Sequence, residues 1–223
     1  MEERHFDQEL KELKKALIDM ASIVEAMTHK SVQALKERNA SLAKELIPED
    51  EKVNQYEIEI EERCVTLLAL RQPVGSDLRF IVSAIKINND LERMGDHAVN
   101  IAECALSLMQ EPLLKPLIDI PRMAEAAMKM LHESIESFVK RDAIEAKQVC
   151  EQDDEVDNLR DQVFRELLTF MIENPKTISR AMELILVARN LERIADLSTN
   201  IAEEAIFMSE ARVIKHHAEE KKC

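Results

Sequence analysis

Leu91-Glu92-Arg93-Met94-Gly95-Asp96-His97-Ala98-Val99-Asn100-Ile101-Ala102-Glu103 returns further along the chain as Leu191-Glu192-Arg193-Ile194-Ala195-Asp196-Leu197-Ser198-Thr199-Asn200-Ile201-Ala202-Glu203. Both copies carry a helical period. In the first, Ile87, Leu91, Met94, Ala98, Ile101 and Ala105 fall on one side of a 100° wheel. In the second, Leu191, Ile194, Ile201 and Ala205 repeat that seam. Upstream, the match continues at an offset of 103, as Met20 to Met123, Met27 to Met130, His29 to His132, Asp50 to Asp153 and Val53 to Val156. The offset becomes 100 past a turn, so two long blocks stay in step on either side of a short deletion. This is the mark of internal duplication.

Each copy reads as three helices. Leu10, Leu13, Leu17, Met20, Val24 and Met27 predict a helix over about Phe6 to Lys36. A second helix is expected from Leu42 to Leu70, kinked or restarted at Pro48. Gln72-Pro73-Val74-Gly75-Ser76-Asp77 is a turn, and a third helix follows from Leu78 to Met109. Pro112, Pro116 and Pro121 mark a linker. Helices are then expected at Met123–Val139, Ala143–Ile172 and Ile178–Met208, with Asn174-Pro175 as the matching turn. The fold class is therefore all-α, a tandem duplication of a three-helix bundle with six long helices. The expected division is 1–111 for the first bundle, 112–122 for the linker, 123–211 for the second bundle and 212–223 for a polar tail.

Composition agrees. Among 223 residues there are 2 Gly, 6 Pro, no Trp and 3% aromatics, too few turn formers and strand formers for a sheet protein. A net charge of −14 opposes nucleic-acid binding and docking on an anionic membrane. No apolar run reaches the roughly 18 residues that span a bilayer. The N-terminus lacks an apolar signal core, and Cys64, Cys104, Cys150 and Cys223 form no CxxC pair. A cytoplasmic protein with reduced thiols is expected.

The candidate site lies on the faces turned away from the seams. Glu92, Asp96, Asn100 and Glu103 form a stripe, and Glu192, Asp196, Asn200 and Glu203 repeat it. The second helix of each unit adds Asp50 and Asn54, with Glu57 and Glu61 further along, or Asp153 and Asp157. Residues four apart share a helix face, and like charges so placed repel by a few tenths of a kcal/mol. The same repulsion in both copies calls for a compensating charge. A bound cation would supply it, and so would Arg93 and Arg193 beside the stripes. Oxygen ligands alone favour hard cations such as Mg²⁺, Mn²⁺, Ca²⁺ or ferric iron. The plainer reading of each stripe is a solvated helix face. His97 has Leu197 as its counterpart and stands outside any shared ligand set; His29 and His132 read as hydrogen-bonded or exposed.

Leu68-Ala69-Leu70-Arg71-Gln72-Pro73-Val74-Gly75-Ser76-Asp77-Leu78-Arg79, the two LER…NIAE stretches, Asp50-Glu51-Lys52-Val53-Asn54 and Asp153-Asp154-Glu155-Val156-Asp157 together resemble the PhoU family over essentially the whole chain. The resemblance implies two similar three-helix bundles whose acidic motifs hold surface metal clusters, iron or zinc among them, with manganese or magnesium as other candidates. The implied metal residues are Glu92, Asp96, Asp50, Asn54, Glu192, Asp196, Asp153 and Asp157, with Asn100, Asn200 and Glu57 as additional candidates. Asn54 departs from the motif, which asks for an acid there. The family implies a non-enzymatic negative regulator of phosphate uptake and starvation signalling. It would act between the ATPase of the phosphate ABC transporter and a membrane sensor histidine kinase, as a homodimer.

Two rival readings are a metal-free helical adaptor, whose stripes bind basic patches, and a carboxylate di-metal oxidase. The oxidase needs Glu-x-x-His motifs pointing into a four-helix core, and the sequence offers only Glu2-Glu3-Arg4-His5, far from both stripes.

Overall fold

The computed structural model describes residues 2–211, with side chains from His5 onward; the expected polar tail and Cys223 lie outside the described residues. The described chain forms helices α1 (Glu2–Glu37), α2 (Ala40–Leu46), α3 (Asp50–Arg71), α4 (Gly75–Leu108), α5 (Asp119–Lys140), α6 (Ala143–Glu173) and α7 (Ile178–Glu210). Six of these are long. The short α2 exists because Pro48 interrupts the expected second helix with a 3₁₀ turn at Ile47–Glu49. The equivalent position in the second copy is Glu151, and α6 runs through it unbroken.

The helix ends follow from local chemistry at matching places. Arg38 and Arg141 adopt left-handed backbone, at φ 54° and 59°, and close the first helix of each unit. The next residue caps the following helix in both. Asn39 Oδ1 accepts from the Leu42 amide at 3.1 Å, and Asp142 Oδ1 accepts from Ile144 and Glu145 at 2.9 and 3.1 Å. Gly75 opens α4 at φ +59°, where an L side chain would be strained. α5 starts at Asp119, ahead of the expected Met123. Pro121 sits in the first helical turn, where no amide is needed as an intrahelical donor.

α1, α3 and α4 form one bundle, and α5, α6 and α7 the other. The expected seams are the buried faces: Leu13, Leu17, Met20, Val24 and Met27 on α1, and Ile87, Leu91, Met94, Ala98 and Ile101 on α4, are 0–1% exposed. Apart from Ala98, each such side chain contributes roughly 1.5–3 kcal/mol when fully buried. The two bundles share a continuous core, because α4 packs on α7 and α1 on α5. Phe80 of α4 stacks on Phe138 of α5 with centroids 5.3 Å apart.

α4 and α7 cross antiparallel and are tied by polar contacts. Glu204, 4% exposed, accepts from Ser83 Oγ at 2.8 Å and Lys86 Nζ at 2.7 Å. His97 Nδ1 lies 2.8 Å from Asn190 Oδ1. The inter-bundle linker is held by cations: Arg38 donates to the carbonyls of Met109 and Glu111 at 3.0 and 2.7 Å, Arg180 donates to Pro112 at 2.9 Å, and Lys115 pairs with Glu166.

Candidate functional site

Each acidic stripe meets acids from a neighbouring helix. In the first bundle α3 lies against α4, and the approach is close because Gly95 has no Cβ. A Cβ there would stand 3.1 Å from Asp50 Oδ1 and 3.2 Å from Val53 Cγ1. The buried Asn88 amide holds α3 from the α4 side by donating to the Glu57 carbonyl at 2.8 Å. Asp50, Glu57, Glu92 and Asp96 are thereby brought within one another's electrostatic reach. Asn54 adds an amide, donating Nδ2 to Asp50 Oδ2 at 3.1 Å.

Burial raises the Glu92 carboxyl above its ordinary range, and the negative charges of Asp96, Glu57 and Asp50 push it further. Burial likewise raises Asp50, with Asp96 adding to it and the Asn54 hydrogen bond opposing. Among the described residues no Lys or Arg pairs with Asp50, Glu57, Glu92 or Asp96. Arg93, expected to compensate, stands 3.6 Å from Asp90, and its charge pulls Glu92 down only as the smallest of the influences on it.

The second bundle repeats the carboxylates but adds cations. Burial, then the charges of Asp196, Asp157, Asp154 and Glu192, push Asp153 up to about 6. Asp196 is raised by burial and by Glu192, against the pull of Arg193. Arg160 binds Glu192 Oε1 at 2.8 Å and Asp157 Oδ1 at 2.9 Å, and Arg193 binds Asp196 Oδ2 at 3.1 Å. The sequence reading names Glu57 and omits Arg160. Yet the two occupy the same place, since the 103-residue offset that pairs Asp50 with Asp153 also pairs Glu57 with Arg160.

The lower-ranked candidates separate. Asn200 lines a hollow of about 760 Å³ between α4 and α7, together with Asp153, Asp196 and Arg193. Asn100 turns toward α7, its amide 3.4 Å from Asn190 Oδ1. His132 is exposed and 3.4 Å from Glu25, and His29 is exposed.

Both clusters have the chemistry of a hard-cation site. Asp50 Oδ1 and Asp153 Oδ1 occupy equivalent positions, and each is buried with no hydrogen-bond partner. An orphaned carboxylate oxygen is costly unless something donates to it or binds it. Its occurrence in both copies, surrounded by further carboxylates, fits a cation. Among the described residues no three acidic, imidazole or thiolate groups already converge on one point, so ligation requires side-chain rotation.

Comparison with known proteins agrees with the duplication. The PhoU domain matches twice, at residues 17–105 and 120–205, one match for each bundle. The chain is 46% identical to the phosphate-specific transport system accessory protein PhoU homolog of Aquifex aeolicus, covering 96% of this chain and 97% of that one. It is 37% identical to PhoU homolog 2 of Thermotoga maritima, over 97% and 92% of the two chains. The crystal structure of PhoU from Pseudomonas aeruginosa superposes with a TM-score of 0.89 at 36% identity, covering 93% of this chain and all of that one. The phosphate transport system regulatory protein PhoU from Streptococcus pneumoniae superposes at 0.88 with 29% identity, over 94% and 99% of the two chains. With both bundles and nearly the full length matched, the chain belongs to the PhoU family.

Proposed function

We propose that this chain is an accessory regulator of a phosphate-specific transport system, and that its two carboxylate clusters bind cations. The regulatory reading is carried by one observation: accessory proteins of that system match the chain through both bundles and almost end to end. In this reading it acts in the cytoplasm as a homodimer. It restrains phosphate uptake and starvation signalling through contacts with the transporter ATPase and a sensor histidine kinase. No helix among the described residues is long and apolar enough to cross a membrane, so contact with the transporter is through surfaces. Its relatives are named accessory or regulatory proteins, and the reading assigns no catalytic step.

The cation reading rests on the paired orphan oxygens of Asp50 and Asp153. Asp50, Glu57, Glu92 and Asp96, with Asn54, would hold a cation at the first bundle. Asp153, Asp157, Glu192 and Asp196 would do so at the second. Oxygen donors suit iron(III), manganese or magnesium better than zinc, and a set of four carboxylates has room for more than one ion. Bound cations would offset the carboxylate repulsion and fix the second helix of each bundle against the third. A metal-free adaptor is favoured by one observation, the Arg160 and Arg193 pairs that already offset three of the second bundle's acids.

Uptake of labelled phosphate by cells lacking the gene tests the regulatory reading. Uptake and starvation-gene expression should rise, and the intact gene should restore them. Unchanged uptake in the deletion strain contradicts it. Complementation with Glu92→Ala, Asp96→Ala, Glu192→Ala and Asp196→Ala combined tests whether regulation needs the clusters. Full restoration by that variant favours the adaptor.

A further inference from the structure

The second bundle exposes apolar side chains that its own fold does not use. Phe164, Leu168 and Ile172 follow one another by one helical turn along α6 and are 51%, 43% and 74% exposed. Ile178, Met182 and Leu186 do the same along α7, at 45%, 46% and 39%. The two helices are antiparallel neighbours in a register set by the Arg160–Glu192 contact. At the Arg160 end a groove of about 320 Å³ lies between them, lined by Val163, Phe164, Ile185 and Ala188 together with the charged Arg160, Asp161, Arg189, Glu192 and Arg193. Half-exposed apolar side chains in two rows on neighbouring helices are not scattered single residues, and such gathering is a feature of interaction sites.

The first bundle is an internal control. The same offsets put Glu61, Val65 and Thr66-Leu67-Leu68-Ala69 opposite the α6 row, with Ala69 at the place of Ile172. Leu78, Val82 and Lys86 stand opposite the α7 row. Val65 and Leu78 are exposed there as well, at 55% and 41%, but Glu61, Ala69 and Lys86 break both rows, so the duplicated fold does not require the continuous rows of the second bundle.

Charge around the patch selects the partner. Arg165, Lys176 and Arg189 have exposed side chains and make no ion pair among the described residues. The counterparts of Arg165 and Arg189 in the first bundle are Glu62 and Asn89, so these two cations too are peculiar to the second copy; Lys176 lies in the turn where the offset changes. Of the neighbouring acids, Asp161 and Glu192 pair with Arg160 and Glu166 with Lys115; Glu183, which accepts from Ser107, and Glu173 at the end of α6 pair with no cation among the described residues. In a symmetric dimer through this face, Arg165, Lys176 and Arg189 of one copy would gather against the same cations of the other, which opposes a second copy as occupant. A flat anionic bilayer suits neither the concave groove nor a chain of net charge −14.

We infer that the α6/α7 face of the second bundle docks one amphipathic helix of a partner protein, with apolar anchors along the two exposed rows and acidic side chains along its edges. Anchors at i, i+4 and i+7 match the turn-by-turn spacing of the two rows. The inference does not depend on phosphate regulation or on cation binding, and it fails by different measurements.

The test uses the full chain and two labelled synthetic amphipathic helices with the same leucine stripe, one edged with glutamate and one with lysine. By fluorescence anisotropy the glutamate-edged helix should bind about tenfold more tightly than the lysine-edged one. Leu168→Glu with Met182→Glu should abolish binding, while Val65→Glu, the change equivalent to Leu168→Glu in the first bundle, should leave it intact. Arg165→Glu with Arg189→Glu should reverse the preference between the two helices. These side chains are exposed, and unchanged helical circular dichroism checks that each variant folds. Equal binding of both helices, binding of neither, or an equal loss in Val65→Glu overturns the inference. So does a dimer, or capture on phosphatidylglycerol vesicles, that Leu168→Glu with Met182→Glu abolishes; these would assign the face to a second copy or to a membrane.

Discussion

Arg160 and Glu57 stand at the same place in two copies of one bundle and carry opposite charge. Arg160 neutralises part of the second cluster, whereas the first keeps four carboxylates with no paired cation among the described residues. Arg160→Glu should therefore raise the Mn²⁺ affinity of the second cluster by about tenfold, since unit charges about 4 Å apart interact by several kcal/mol before solvent screening. Calorimetry in a Glu92→Ala, Asp96→Ala background reads that site alone, and unchanged affinity would remove the electrostatic account. Asp153 supplies a second prediction. Its folded value of about 6 lies above its ordinary 3.8, so the folded state holds the proton more tightly than the unfolded chain. The stability from that proton is present below about pH 4 and is lost as pH rises through 6. In metal-free protein, Asp153→Asn should raise the urea midpoint at pH 7 and leave it nearly unchanged at pH 4. Gly95 supplies a third. Ala195 occupies the same place in the second bundle, so a methyl there is compatible with this helix pair. Gly95→Ala should gain up to about 1 kcal/mol of helix propensity, less the cost of displacing Asp50 by a few tenths of an ångström. A loss of stability on urea unfolding would mean that Asp50 cannot yield.

Helix periodicity was legible wherever one face was buried. Leu13 to Met27 and Ile87 to Ile101 are spaced for a single seam, and both are buried. The interruption at Pro48 was also legible, because a proline inside a helix removes a donor and clashes with the preceding turn. Pro121 misled for the converse reason, as the first turn tolerates proline and lets α5 begin at Asp119. The caps were hidden by ordinary residue types. Asn39 and Asp142 follow left-handed arginines, a conformation that composition alone does not announce. Asp142→Ala should cost about 1 kcal/mol in urea unfolding, since two amides lose their acceptor; no change would show that water replaces the cap. The apolar rows on α6 and α7 could not be told from core by spacing, because a docking face and a buried face share the same period.

For the whole molecule, the duplication was legible and the way its halves meet was not. The residues that tie α4 to α7 differ between the copies: His97 against Leu197, Lys86 against Leu186, Ser83 against Glu183, Cys104 against Glu204. Matching one copy to the other reveals what they share and passes over an asymmetric contact between them. The oxygen-rich clusters were named from the sequence because their motifs repeat; Arg160 was missed because there the motifs diverge. Glu204 lies buried between the bundles and Lys86 reaches solvent, so Glu204→Ala should destabilise the protein by about 1–3 kcal/mol, chiefly by leaving the buried Ser83 short of its acceptor. Both bundles should lose stability together, because they share one core. Separate unfolding transitions in wild-type protein would contradict that shared core. The central claim is that equivalent carboxylate clusters in both bundles take up cations. Anomalous scattering from crystals of Mn²⁺-loaded protein tests it most directly. Peaks beside Asp50 Oδ1 and Asp153 Oδ1 are predicted, the first lost in Glu92→Ala, Asp96→Ala and the second in Glu192→Ala, Asp196→Ala; a map with no peak at either cluster would contradict it.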